Sequence, residues 1–328
     1  MSVHLHHLNA DCAWLLTFSN NPQRLSPGDT TLTLLIDPWL DGPEVDIHRW
    51  FLTQHHSSST PPQFHEFPSL VEFLSSEGDP RKGVDAIIIT FPGSDHLHKA
   101  TIDTVGPEVP FFAFPMAAAK LRSWGREHVY EIPKGPGFLA ILDGLLEAEA
   151  RVNCQGRSRK VFFESLNIKL SFIDTGSSTF YDDSFRGALA LTFAKCSGER
   201  GALLYQPHGT PFDQIKRWKS REESEATTVD VFAFIAGWDF VKMPDVLGGV
   251  VCTGSVENAK IAQELSPRYW LRTHDEETVK SGLIPWFLRR DIWSKERMEA
   301  EIDGLNAKFV DMEVGETLSM PMAIPSAA

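Results

Sequence analysis

With 328 residues, 42% of them hydrophobic and 23% charged, the chain is a globular sequence long enough to bury a large core. Its formal charge of −13 leaves no basic stripe to neutralise phosphates, which excludes a nucleic-acid partner. Four scattered cysteines (Cys12, Cys154, Cys196, Cys252) lack C-x-x-C spacing, so they read as reduced thiols of a cytoplasmic protein, not as a zinc ribbon or disulfide framework.

The N-terminus has neither the basic start nor the long apolar core of a secretion signal. Residues 3–8, 13–18 and 31–36 read as consecutive strands, with turn signals at 20–22 and 26–29. On the first strand His4 and His6 share one face and His7 takes the other, a structural placement. Residues 42–68 read as a long irregular insertion near the rim of a site. His55 and His56 within it are expected to point apart into solvent. Helices follow at 69–76, 101–105 and 117–123, and strands at 84–90 and 110–114. A second group of β-type runs covers 161–164, 168–173, 188–193 and 202–205. Then come a strand at 229–236, a helix at 256–265 and a last strand at 269–272. The tail from Met320 is expected to fray. No uncharged apolar run reaches the roughly 18–20 residues of a membrane span. Neither a fixed repeat nor a low-complexity linker divides the chain, so 1–328 reads as a single domain.

The segment Phe91-Pro92-Gly93-Ser94-Asp95-His96 lies between the 84–90 strand and a helix opening near Leu97. A β-branched run ending in a short loop with Asp and His is where an α/β sheet presents chemistry to solvent. Three more strand ends carry candidate groups: Leu34-Leu35-Ile36-Asp37-Pro38, Leu203-Leu204-Tyr205-Gln206-Pro207-His208-Gly209 and Arg272-Thr273-His274-Asp275-Glu276. In this order the four resemble the metal-binding positions of the metallo-β-lactamase fold, most closely its divergent, sugar-lactonase-like members found in fungi. The resemblance spans most of the chain. It implies an αββα sandwich, two mixed β-sheets flanked by helices, with loops from both sheets meeting along one edge. Two strand-rich halves, each followed by helices, suggest the same layering.

The departures from that family are selective. Its metal loop reads His-x-His-x-Asp-His, and Phe91 and Gly93 stand here at the two leading histidines. The mid-chain strand runs into Asp174-Thr175-Gly176-Ser177-Ser178, where the family's third histidine of that set is also missing. The other ligand set is kept: Asp95, His96 and His274, with His208 where a bridging carboxylate would stand. The resemblance therefore implies one divalent ion, zinc foremost with manganese or iron as alternatives, on Asp95, His96, His208 and His274. Such an ion polarises a carbonyl and lowers the pKa of bound water, as a hydrolase needs.

Asp95, His98 and Asp37 are the candidate catalytic groups. His98 reads as a replacement ligand, an acid/base group or a solvated helix residue; Asp37 as a ligand orienter, a proton acceptor or a turn former. Gly135-Pro136-Gly137 and Gly248-Gly249 are turns, since neither shows a phosphate-loop pattern. The absence of Gly-x-Ser-x-Gly argues against an α/β-hydrolase. Trp39, Trp50 and Trp238 are either an apolar substrate wall or buried packing. The functional expectation is a mononuclear metal-dependent hydrolase of a small ester, thioester or lactone. A lyase, isomerase or decarboxylase on the same metal, or a non-catalytic ligand-binding member, is the alternative. The expected substrate is neutral and partly apolar, with no nucleic-acid or membrane partner and the oligomeric state open.

Overall fold

The computed structural model describes residues 1–322 apart from 10, 24, 77–78, 135–137, 142–143, 147–156, 177–185, 196–198 and 226–227. In chain order the strands begin with β1 (Ser2–His7), β2 (Trp14–Ser19), β3 (Thr31–Ile36), β4 (Glu44–Asp46), β5 (Leu52–His56), β6 (Ala86–Ile89) and β7 (Phe111–Ala113). They continue with β8 (Val129–Glu131), β9 (Leu139–Ala140), β10 (Lys169–Ile173), β11 (Ala188–Ala194), β12 (Arg200–Gln206) and β13 (Val229–Ala236). The last are β14 (Phe240–Lys242), β15 (Val250–Thr253), β16 (Tyr269–Leu271), β17 (Thr278–Gly282), β18 (Arg289–Asp291), β19 (Lys308–Val310) and β20 (Thr317–Pro321). The helices used below are α1 (Phe67–Leu74), α2 (Lys99–Asp103), α3 (Pro115–Ser123), α4 (Arg157–Leu166), α5 (Phe212–Glu225), α6 (Gly254–Leu265) and α7 (Lys295–Glu301).

Two seven-stranded sheets dominate, ordered β20-β1-β2-β3-β6-β7-β8 and β19-β16-β13-β12-β11-β10-β9. Strand alternation sorts their side chains into layers. Leu34, Ile36, Ala86 and Ile88 face Leu203, Tyr205 and Ile235 of the other sheet, whereas Leu35, Ile87 and Ile89 face outward onto Leu70, Ile102 and Leu121 of α1–α3. On the far side Ala202, Leu204 and Phe234 pack against Ile215 and Trp218 of α5 and Ile261 of α6. Three apolar layers between four structural ones make this an αββα sandwich, as expected. Each fully buried aliphatic side chain contributes about 1.5–3 kcal/mol. A charge introduced at Ile88 would therefore disrupt the inter-sheet layer.

Strands β3, β6 and β7 run parallel, as do β12, β13 and β16. The C-terminal ends of such strands are where open α/β sheets expose loops able to hold ligands. Two three-stranded sheets, β17-β5-β4 and β15-β14-β18, lie outside the sandwich. Among the described residues no helix is long and apolar enough to cross a membrane.

Three expectations are corrected. Residues 161–164 lie within α4, where Phe163 and Leu166 sit three positions apart on one face and bury into the inter-sheet core. A four-residue aromatic and β-branched run cannot by itself separate strand from helix. The 42–68 insertion is not irregular throughout, because β4 and β5 pair with each other and β5 pairs with β17. The tail is not frayed at Met320: β20 pairs with β1, and Met320 and Met322 are buried. Of the tail, residues 323–328 lie outside the described residues.

Candidate metal centre

Each arm of the site starts at a strand end. After β6 the chain turns tightly, with the amides of His96 and Leu97 donating to the Gly93 carbonyl at 3.1 and 2.7 Å. After β3, Asp37 adopts φ +44° and turns its carboxylate toward that loop. One oxygen accepts from the Thr90 amide at 2.7 Å, and the other pairs with His96 Nδ1 at 2.7 Å. After β12, the turn through Gly209 (φ +93°) places His208; a Cβ at Gly209 would fall 2.0 Å from Thr253 Oγ1. After β16, His274 sits at φ +61° with its amide donating to the Asp11 carbonyl at 3.2 Å. Its Nδ1 hydrogen-bonds the Asp11 carboxylate.

With both Nδ1 atoms engaged, the Nε2 atoms of His96 and His274 point inward. His96 Nε2 lies 3.1 Å from His208 Nε2, and Asp95 Oδ2 is 3.9 Å from Nε2 of both His96 and His274. The ligand atoms of Asp95, His96, His208 and His274 all lie within 4.8 Å of one another. Three imidazoles and a carboxylate, two of the imidazoles braced from behind by carboxylates, fit one divalent ion. Of the seven positive-φ non-glycine residues among the described residues, Asp11, Asp37 and His274 belong to this site. Backbone strain of that kind, about 1–3 kcal/mol each, thus accompanies the orientation of the donors.

The electrostatics are those of a centre that wants a cation. Burial lowers the His274 imidazole, but the Asp11 carboxylate outweighs it and raises the pKa to about 9. His96 is likewise pulled down by burial and raised overall by Asp95 and Asp37. His208 is held well below its ordinary value by burial and by the two neighbouring imidazoles. Asp11 is pushed up by burial yet held far below the carboxylate range by His274. Protons on His96 and His274 occupy a place that one divalent ion takes in competition with them. Cys12 packs beside the donors, 3.7 Å from His96 Nε2 and 3.5 Å from His274 Nδ1, and burial pushes its thiol up so that it packs as a neutral group.

Asp95, His208 and His274 line a cleft of about 590 Å³, within the range of small-molecule sites, and His96 lies buried beneath them. Its apolar lining includes Phe51, Phe91, Val241, Met243, Val251 and Leu288.

No family model matches the chain, and no curated protein sequence matches it. Solved structures do. A possible metal-dependent hydrolase from Veillonella parvula aligns at 16% identity over 97% of this chain and 99% of its own, with a TM-score of 0.56. The isothiocyanate hydrolase from Delia radicum gut bacteria aligns at 15% identity over 97% and 99%, with a TM-score of 0.54. Igni18, a metallo hydrolase from the hyperthermophilic archaeon Ignicoccus hospitalis, aligns at 13% identity over 98% and 99%, with a TM-score of 0.51. The chain has the metallo-β-lactamase fold.

In this chain of the metallo-β-lactamase fold, Phe91 and Gly93 are sterically linked. The Phe91 ring packs edge-on against His96 and His208, with centroids 5.2 Å from each. A Cβ at Gly93 would fall 2.3 Å from that ring and 2.7 Å from Asp95 Oδ1. Once phenylalanine stands at 91, position 93 has no room for a side chain without displacing the ring or the carboxylate. Of the mid-chain segment, Ser177 and Ser178 lie outside the described residues.

Asp95, His96, His208 and His274 thus come together, and Asp37 joins them as the brace of His96 without lining the cleft. His98 does not join. It caps α2, buried, with Nδ1 3.0 Å from Thr101 Oγ1 and Nε2 3.4 Å from the Pro43 carbonyl. His55 and His56 are separated by the alternation of β5: His55 is exposed, but His56 stacks on Trp39 at 4.1 Å, contrary to the expectation of solvent. His4 bonds Ser2 and Ser319, His6 bonds Thr317 and Gln63, and His7 stacks on Trp14 at 4.5 Å. Trp39 and Trp238 are core residues and Trp50 is exposed; none of the three lines the cleft. Sequence reasoning missed Asp11, Glu44 and Lys280. The available signal for Asp11 was its place in a short polar turn between two apolar strands at the same sheet edge.

Proposed function

We propose that the chain is a metal-dependent hydrolase holding one divalent ion on Asp95, His96, His208 and His274. Its proposed substrate is a small, partly apolar ester, thioester or lactone. The observation that carries this reading is the convergence of four donors from three strand ends within 4.8 Å, with Asp95, His208 and His274 lining a cleft. A divalent ion, zinc foremost, supplies Lewis acidity there, polarising a carbonyl and acidifying water. Asp37 and Asp11 hold the imidazoles of His96 and His274 in one tautomer and orientation. Asp95, the only carboxylate of the donor set, is the acceptor for the proton of attacking water. His98 is engaged by Thr101 and Pro43, which disfavours a shuttling role for it. The apolar lining keeps bulk water from the reacting carbonyl and supports a partly apolar substrate, with a neutral ester as the simplest form. A lactone is the first compound to try, because Leu34-Leu35-Ile36-Asp37-Pro38 resembles the strand end of lactonase-like members.

Elemental analysis should find about one tightly held ion per chain. Two ions, or none after reconstitution with zinc, manganese and iron, would overturn the mononuclear assignment. A panel of lactones, aryl esters and acyl thioesters run on wild type and Asp95→Ala should show chelator-sensitive turnover in the wild type alone. Equal low activity in both proteins, with metal bound in the wild type, would sink the hydrolase reading.

A further inference from the structure

The cleft has two chemically different walls. Val241, Met243 and Val251, from β14, β15 and the loop between them, stand with Leu288 on one. The other is the inward face of the β4–β5–β17 sheet, where alternation turns Glu44, Gln54, Thr278 and Lys280 toward the cleft. Register places Glu44 beside Gln54 and Gln54 beside Lys280, a single polar row across three strands.

A continuous hydrogen-bond chain runs along that row. Lys280 Nζ donates to Thr278 Oγ1, and Thr278 Oγ1 donates to Gln54 Oε1 at 3.2 Å. Gln54 Nε2 donates to Glu44 Oε2 at 3.0 Å, and Ser94 Oγ donates to the other Glu44 oxygen. Every donor points toward Glu44, so the chain is polarised in one direction and its members strengthen one another. It holds the Lys280 stem in one arrangement while leaving the ammonium at the cleft.

Among the described residues no carboxylate lies at salt-bridge distance from Lys280. Arg290, the other cation of the cleft, is already engaged by the Asp239 carboxylate and the carbonyls of Asp275 and Glu276. An ammonium largely removed from water without a contacting counter-ion is unfavourable, and an anion entering the cleft relieves it through a charge-assisted hydrogen bond. The same cleft is lined by Asp11, Glu44, Asp46, Asp95 and Glu276, whose repulsion grows with the charge of the ligand and so weighs least against a single carboxylate.

We infer that the substrate is an apolar carbonyl compound bearing one carboxylate, which Lys280 receives while the apolar body lies against Val241, Met243, Val251 and Leu288. This rests on the reading of the cleft as the substrate site and replaces a wholly neutral substrate by a monoanionic one.

The test needs no turnover, so its failure is distinct from failure of the hydrolase reading. Binding of hexanoate and of hexanamide is measured by titration calorimetry on the metal-loaded wild type, Lys280→Met and Lys280→Arg. The wild type should prefer the acid over the amide. Lys280→Met should reduce that preference by about tenfold or more, the scale of one charged hydrogen bond, and Lys280→Arg should retain most of it. Circular dichroism and metal content equal to wild type establish that each variant is folded. A preference that survives in Lys280→Met would place the carboxylate on the histidine cluster and overturn the inference. So would failure of the wild type to bind hexanoate at millimolar concentration.

Discussion

Asp11 is the residue on which the His274 arm depends. Its backbone, at φ +89°, presents a carbonyl to the His274 amide and to Thr273 Oγ1, while its carboxylate takes His274 Nδ1. Asn tolerates the left-handed conformation and keeps the shape, so Asp11→Asn removes the charge without breaking the turn. Loss of a carboxylate behind a metal-binding histidine typically weakens metal affinity by about 10–100-fold. That range is expected for Asp11→Asn in competition against a chromophoric chelator, with His55→Ala as the exposed-histidine control. Unchanged affinity in Asp11→Asn would reduce Asp11 to a turn residue.

At the scale of elements, β1 and β20 carry a pH dependence separate from the site. His4 lies between Ser2 Oγ and Ser319 Oγ at 2.7 Å each, and burial, with Arg81 adding to it, lowers its pKa from 6.5 to about 4. The unfolded chain therefore binds more protons than the folded one between those values. The stability held by neutral His4 is full above pH 6.5 and declines as pH falls toward 4. His7 acts in the opposite sense, because Glu276 overcomes the effect of burial and raises its pKa. Because β20 is an edge strand whose one hydrogen-bonded neighbour among the described strands is β1, its amides should lose protection first. Hydrogen exchange at pH 7 and pH 5, corrected for intrinsic rates, should show residues 317–321 opening selectively, and His4→Gln should flatten the difference. Uniform loss of protection across both sheets would refute this.

For the whole molecule, the site is a consequence of the sandwich. Its donors come from the ends of β6 and β12, the loop after β16 and braces from two further turns, so the unfolded chain offers no comparable site. A ligand that binds only the folded state stabilises it by about 4 kcal/mol at a thousandfold excess over Kd. Chelation should lower the melting temperature by several degrees in scanning calorimetry, and Asp95→Ala should no longer respond. An identical shift in wild type and Asp95→Ala would place the stabilising ion elsewhere.

The sequence by itself marked the strand ends at which the candidate groups stand, and the family resemblance singled those groups out. Asp95, His96, His208 and His274, and Asp37 that braces one of them, each follow a buried-strand run that stops at a short polar loop, a pattern written in a few consecutive residues. It also carried the layering, since alternating apolar strands between amphipathic segments have few ways to pack. Only the tertiary structure decided what those donors do together. Asp11 meets His274 across 263 positions, and Lys280 reaches Gln54 only because β17 pairs with a strand read as part of an irregular loop. His98 sits two residues from His96 and still turns away, held by Thr101 and the Pro43 carbonyl. Strand pairing and the packing of two sheets set these meetings, and local propensity carries no information about which side chains arrive from the other sheet.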